Sequence, residues 1–373
     1  MKYRIFRRTT ALLAAPALFY LLLATGCAER EDQSENIRPL ADTVGFARYD
    51  WQMDEIMTRI QRLQGHQLAN IWDRNKIKET DYWRTAVSPH DDYAYAGHVY
   101  VSVLRNIKAP LVILFGVAHK AKTMNLEDRI VFDSYSYWKG PYGPVKVSDY
   151  REEVIRILPH GVFEVNDSLH RMEHSLEALV PFLQYYNREV QIIPILVPYM
   201  SFGRMEEIAV ELSEAVYNLS VRNNLHWGRD FAMVISSDAV HYGDEGWGGK
   251  DFAFYGTDSA GYNRVLRHEK EIIAGITGTL DTADIRSFCN YTVQEEDHRE
   301  YKWTWCGRYS VPFGLLTSLY LNGYKSTDPL RGVPVTYANS IDHPIIPVDD
   351  LQMGVTAPAT VRHWVGYAAI GYK

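Results

Sequence analysis

Cysteine is scarce: three in 373 residues, at positions 27, 289 and 306, with no C-x-x-C pair among them. That excludes a disulfide-built scaffold and a module held by cysteines alone. Positive charge is scarce as well. The formal net charge is −7, and no Lys/Arg cluster interleaved with aromatics offers itself to a phosphate backbone, so nucleic acid is not an expected partner. Internal repeats and low-complexity blocks are lacking, which removes solenoid architectures. No G-x-S-x-G elbow is present. The glycine-rich stretch "GDEGWGGKDFAFYG" (243–256) has no strand–loop–helix phosphate signature and reads as a flexible loop over a site.

The longest apolar run is N-terminal. Lys2, Arg4, Arg7 and Arg8 precede "ALLAAPALFYLLLA", and small residues then lead to Cys27. A basic start, an apolar centre and small residues before a cut describe an export signal. The run is short for a membrane span, which needs about 20 residues. Small residues directly before a cysteine resemble a bacterial lipobox, with Ala24 where leucine is usual. The expectation is a signal and lipidation site over 1–27, Cys27 carrying the lipid, and a flexible polar tether over 28–45. The domain over 46–373 would then sit outside the cytoplasm, anchored to a membrane.

What the chain does have is a patterned, aromatic-rich body, with 46% apolar residues and 26 tyrosines. Met53, Ile56, Ile60 and Leu63 give helical spacing over 51–64. "RTAVS" (84–88) reads as a short strand. "PLVILFGV" (110–117), "VQIIPILV" (190–197) and "DFAMVISSD" (230–238) are continuous apolar runs, as strands buried on both faces require. Helices are expected at 97–107, 149–158, 174–187, 203–222, 256–275 and 311–322, and "WVGYAAIGY" (364–372) closes the chain as a strand. This alternation predicts a single-domain α/β fold, a three-layer αβα sandwich around a mixed, largely parallel sheet.

In such sheets, sites gather beyond the carboxyl ends of the strands. His90 follows the first strand, His119 the second, and Asp238 and His241 the fourth; Cys306 stands just before a late helix, where a helix start favours thiolate. Two imidazoles and an anionic ligand make a workable site for one divalent or redox metal. A Cys289–Cys306 disulfide is the rival use of Cys306, since an exported compartment permits one. Tyr93 could line the site or simply pack.

The segments "PHDDY", "GVAHK", "EHSLE" (173–177), "SSDAVH" (236–241) and "CGR" (306–308), in that order, resemble the Memo family, protein B of the AmmeMemoRadiSam system. The resemblance covers about 80–373 and includes "PYGPVKVS", "IIPILVPY" and "VGYAAIGY". It implies a fold similar to class III extradiol dioxygenases, and by position it makes His90, His119 and Cys306 the metal ligands. His241 becomes the acid/base, with Asp238 steadying it. A thiolate ligand favours iron or copper, with zinc next. His174 matches a family position, although with Ser175 and Glu177 it could serve a helix-start network. Two departures stand out: Asp91-Asp92 replaces Ala-Gly after the first histidine, and Lys120 replaces a second histidine, where it could offset the added carboxylates. The implied activity is oxygen-dependent or redox chemistry on a small molecule. Non-catalytic copper or iron binding and a peptide-binding cleft are the alternatives.

Overall fold

Strand residues alternate between two cores. In the strand Leu111–Val117, Val112 and Leu114 face one core while Leu111, Ile113 and Phe115 face the other. Gln191–Val197 and Phe231–Ser236 divide in the same way. A continuous apolar run is therefore needed, because helices cover both faces. Asp50–Arg74 and Tyr93–Leu104 supply the first core. Phe202–Arg222, Ser259–Gly275 and Ser310–Lys325 supply the second. The result is an α/β, three-layer arrangement. The structure is a computed structural model that describes residue 1 and residues 36–373.

At the centre of the mixed sheet, Gln191–Val197, Leu111–Val117, Phe231–Ser236 and Thr85–Ser88 lie side by side, all parallel. Trp364–Tyr372 then adds antiparallel to Thr85–Ser88, and Arg331–Asn339 antiparallel to that. The carboxyl ends of the four parallel strands therefore open at one edge, where the chain leaves toward His90, His119 and Asp238.

The expected tether boundary moves. Ile37–Arg38 pairs parallel with Tyr137–Gly140, and Arg38 is fully buried, its guanidinium 2.5 Å from Glu177. A buried arginine with a carboxylate partner belongs to the folded body, so the described domain begins at Asn36 rather than at 46. Cys27 and the signal segment lie outside the described residues. Among the described residues no helix is long and apolar enough to cross a membrane.

Candidate metal centre

His90 leaves Thr85–Ser88 through Pro89 and is almost wholly buried. Its Nδ1 lies 2.8 Å from Ser236 Oγ. That hydroxyl already donates to the Ser175 carbonyl at 2.6 Å, so it must accept from His90. The proton is thereby fixed on Nδ1, and Nε2 carries a lone pair. His119, beyond Leu111–Val117, is fixed in the same sense. Glu173 takes its Nδ1–H at 2.8 Å and its backbone N–H at 2.8 Å. Both imidazoles thus present Nε2 as the free nitrogen.

Cys306 comes to the same point from the other core. Its Sγ lies 3.4 Å from His90 Nε2 and accepts the Asp238 N–H at 3.1 Å. One ligand atom each from His90, His119 and Cys306 fall within 4.8 Å of one another, a separation one ion can span. A Cβ on the next residue, Gly307, would stand 2.1 Å from Ser237 Oγ, so the turn that delivers the thiol has no room for a side chain there. Both cysteines among the described residues are free thiols, which overturns the disulfide alternative: Cys289 sits on the outer helix Thr282–Thr292, and Cys306 faces His90.

The electrostatics correct one expectation. Burial, reinforced by Asp238, pushes the Cys306 thiol well above the usual range instead of the helix start lowering it. A metal ion would displace that proton on binding. Burial also pulls the His90 imidazole well below its ordinary value, helped by His119 and His174, so it stays neutral and ligand-ready. Burial raises the Glu173 carboxyl, but His119 and its hydrogen bonds outweigh that and hold it well below the ordinary carboxylate range.

Glu173 was not picked out as a site residue from the sequence, although it opens the quoted "EHSLE" segment. Nothing in spacing distinguishes a carboxylate that orients a ligand from one that caps a helix. It completes a carboxylate–histidine pair of the kind that fixes metal ligands. We expect Glu173→Gln to weaken metal binding by about 10–100-fold with the fold retained, read by chelator competition; unchanged affinity would remove Glu173 from the site.

His174 does not serve a helix-start network. Its ring stacks on His119 with centroids 4.9 Å apart, and the backbone there is held instead by Glu173 accepting the Ser175 N–H. Burial and His119 lower His174 to about 4. Glu177 faces away, accepting from Arg38 and from the amides of Ala41 and Asp42. Tyr93 packs: it is fully buried, donates to the Ala178 carbonyl at 2.7 Å and touches Phe46, Tyr100 and Phe182. His170 stands four residues before His174, but its Nε2 faces the Val131 carbonyl at 3.0 Å, in the core.

Asp238 is arranged differently from the expectation. Its carboxylate accepts the His90 backbone N–H at 2.9 Å, and through that bond it steadies His90 rather than His241; its other oxygen lies 3.4 Å from His90 Nε2. His241, on the short strand His241–Tyr242, has a buried Nε2 with no hydrogen-bond partner among the described residues. Burial lowers it to about 3. It shares a possible ligand group with Asp238 and Cys306.

The segment carrying Cys306 is clamped by a residue no motif had indicated. Glu269, fully buried on Ser259–Gly275, accepts the indole N–H groups of Trp303 at 2.7 Å and Trp305 at 2.9 Å, and the Val240 N–H at 3.2 Å. Thr304, between the tryptophans, donates to the His241 carbonyl and accepts the His241 N–H. One carboxyl thus ties together the stretches that deliver His241 and Cys306. Glu269→Ala leaves three buried donors unpaired and should cost about 3 kcal/mol or more in denaturant unfolding, with Glu269→Gln costing less; equal losses would contradict this role.

His90, His119, Asp238 and His241 line a cavity of about 530 Å3, whereas Cys306 lines a separate one of about 220 Å3 that His119 also reaches. The glycine-rich loop over the larger cavity is pinned rather than loose: Arg362 makes two hydrogen bonds to Asp244, at 2.8 and 2.6 Å, and Trp247 stacks on His363 with centroids 3.9 Å apart. Gly246, with φ of +76°, lies where a Cβ would meet the His363 ring. Lys120 is exposed and does not line the cavity, so it does not offset Asp91 and Asp92.

Comparison with known proteins finds one family model, described as Memo-like protein, matching residues 57–343. Curated relatives are MEMO1 family proteins. One from Methanosarcina barkeri is 32% identical over 159 residues, covering 42% of this chain and 54% of that protein. One from Pyrococcus horikoshii is 26% identical over 243 residues, covering 62% and 74%. One from Aquifex aeolicus is 32% identical over 177 residues, covering 47% and 59%. The matched stretch thus spans between about half and three quarters of these relatives' own length.

Proposed function

The chain belongs to the Memo-like protein family, and from that premise we propose that it is a membrane-tethered metalloprotein acting on a small molecule by oxygen-dependent or redox chemistry. His90, His119 and Cys306 would hold one ion. The observation that carries this reading is the pair of fixed tautomers: Ser236 and Glu173 each take an Nδ1–H, which leaves Nε2 as the ligand nitrogen of each ring, and one ligand atom of each histidine lies within 4.8 Å of the Cys306 sulfur. A histidine that merely packs needs no such orientation.

The donor set fits a soft or borderline ion, with iron or copper ahead of zinc, because a thiolate disfavours magnesium and calcium. When bound, the ion supplies a Lewis-acidic, redox-capable centre with open positions. The chain's own residues do the rest. Glu173 and Ser236 hold the ligand rings. His241, neutral and without a partner at Nε2, is placed to accept and return a proton at that atom. Trp247 and His363, stacked on each other, line one wall of the cavity. A cavity of this size suits a small molecule better than an extended peptide.

The test is metal analysis of the purified mature chain beside His90→Ala, followed by oxygen consumption with added reductant and candidate substrates. Stoichiometric iron or copper that is lost in the variant supports the site, and substrate-dependent oxygen uptake supports turnover. A wild type that takes up no redox metal ends the proposal. The lipid anchor is tested separately, by membrane fractionation of wild type and Cys27→Ala; equal partition would remove the tether.

A further inference from the structure

The cavity above the metal ligands is lined by Asp42, Asp91, Asp92 and Asp238, and by no lysine or arginine. Asp238 is committed to His90. The other three accept hydrogen bonds only from uncharged groups. Asp91 takes the Tyr367 hydroxyl at 2.6 Å and the Asp92 N–H at 2.7 Å. Asp92 takes the Thr356 N–H at 2.6 Å and its hydroxyl at 3.1 Å. Asp42 takes the amides of Val44 and Gly45. Among the described residues, no Lys or Arg forms an ion pair with any of them. Asp92 is only 2% exposed. Burying adjacent carboxylates without a counter-charge is costly, and a cation placed between them removes much of that cost.

A second observation points the same way. His363 is 7% exposed, and its Nδ1–H donates to the Glu245 carbonyl at 2.8 Å. Its Nε2 reaches the cavity wall with no hydrogen-bond partner among the described residues. The wall thus offers carboxyl and imidazole groups and no lysine or arginine. Phe46, Tyr95 and Trp247 add aromatic surface around them.

We propose that the cavity takes a small molecule bearing an ammonium group, seated against Asp91, Asp92 and His363, with its remaining body reaching toward the metal ligands. This rests on the metal-site reading above for the far end of the molecule only. The ammonium's N–H groups match the acceptors, and the aromatic wall suits both a cation and an apolar body. A ligand of the same skeleton ending in a carboxylate meets like charge and is excluded.

The experiment is calorimetric binding of phenethylamine, phenethyl alcohol and hydrocinnamate to the full chain near neutral pH, with metal content measured on the same preparation. The ammonium compound is expected to bind about tenfold more tightly than the alcohol, and the carboxylate most weakly. In Asp91→Asn/Asp92→Asn, which keeps acceptors for Tyr367 and Thr356, the preference should shrink to within about twofold. Thr43→Lys, at the exposed cavity mouth, leaves the buried carboxylates untouched and should also weaken the amine selectively. Equal binding of all three compounds to metal-loaded chain would mean the carboxylates merely balance the ion, and would overturn the proposal while leaving the metal site standing. A preference that survives in both variants would overturn it too. An ammonium preference in chain that holds no metal supports it and counts against the metal site instead.

Discussion

Cys306→Ser is expected to lower the affinity of the chain for Cu(I) or Fe(II) more than about a hundredfold, since even partners behind a ligand are worth 10–100-fold and Cys306 would be a ligand itself. The soft sulfur is what distinguishes this donor set from one suited to magnesium or calcium. A serine oxygen at the same place can still accept the Asp238 N–H that Sγ accepts at 3.1 Å, so the turn should keep its shape. It would not deprotonate readily in that buried setting. The loss should therefore be largest for Cu(I) and smaller for Zn(II). Cys289→Ser is the matched control: this thiol lies on the outer helix, where burial pushes it up to about 12 and no histidine or carboxylate joins it in a ligand group among the described residues. Competition against a chromophoric chelator reads both variants. Equal affinities in wild type and Cys306→Ser would remove Cys306 from the ligand set.

How much of this was legible in the sequence depends on the physics of each part. The central strands were, because burial on both faces demands uninterrupted apolar runs such as "LVILFGV". The helix expected from residue 97 starts at Tyr93 instead, since it is buried all round and shows no polar face to mark its first turn. Arg331–Asn339 went unread because Gly332 and Pro334 argue against a strand. A register shift between Pro334 and Thr336 accommodates the proline there. Thr282–Thr292 was also missed, although Asp281 and Asp284 form a reciprocal cap at its start. The residues near the site could be listed from motifs, but their partnerships could not. That Asp238 serves His90, that Glu173 serves His119 and that Glu269 holds the Cys306 segment are facts of tertiary geometry between stretches far apart in the chain.

His98→Leu is expected to stabilise the protein, and by more as the pH falls. His98 lies on Tyr93–Leu104, is fully buried, and neither ring nitrogen has a hydrogen-bond partner among the described residues. Its nearest charged-capable neighbour is His343, with ring centroids 4.5 Å apart. Burial first, and His343 second, lower its pKa from 6.5 to about 3. In the unfolded chain the ring takes up a proton as the pH drops through about 6.5, whereas in the folded chain it does so only near 3. Across that interval the unfolded state binds more protons, so wild-type stability falls with pH by about 1.4 kcal/mol per pH unit from this residue alone. The whole-protein curve does not isolate the effect. Asp92 and Glu269, both raised to about 7 chiefly by burial, bind protons first in the folded state and stabilise it over the same range. The difference between wild type and His98→Leu cancels those terms. It should be about 1–3 kcal/mol near neutrality, from removing two unpaired polar atoms, and larger by roughly 3 kcal/mol near pH 4. Urea unfolding at several pH values measures it, and a difference that stays flat below pH 6 would mean that His98 is protonated in the folded core.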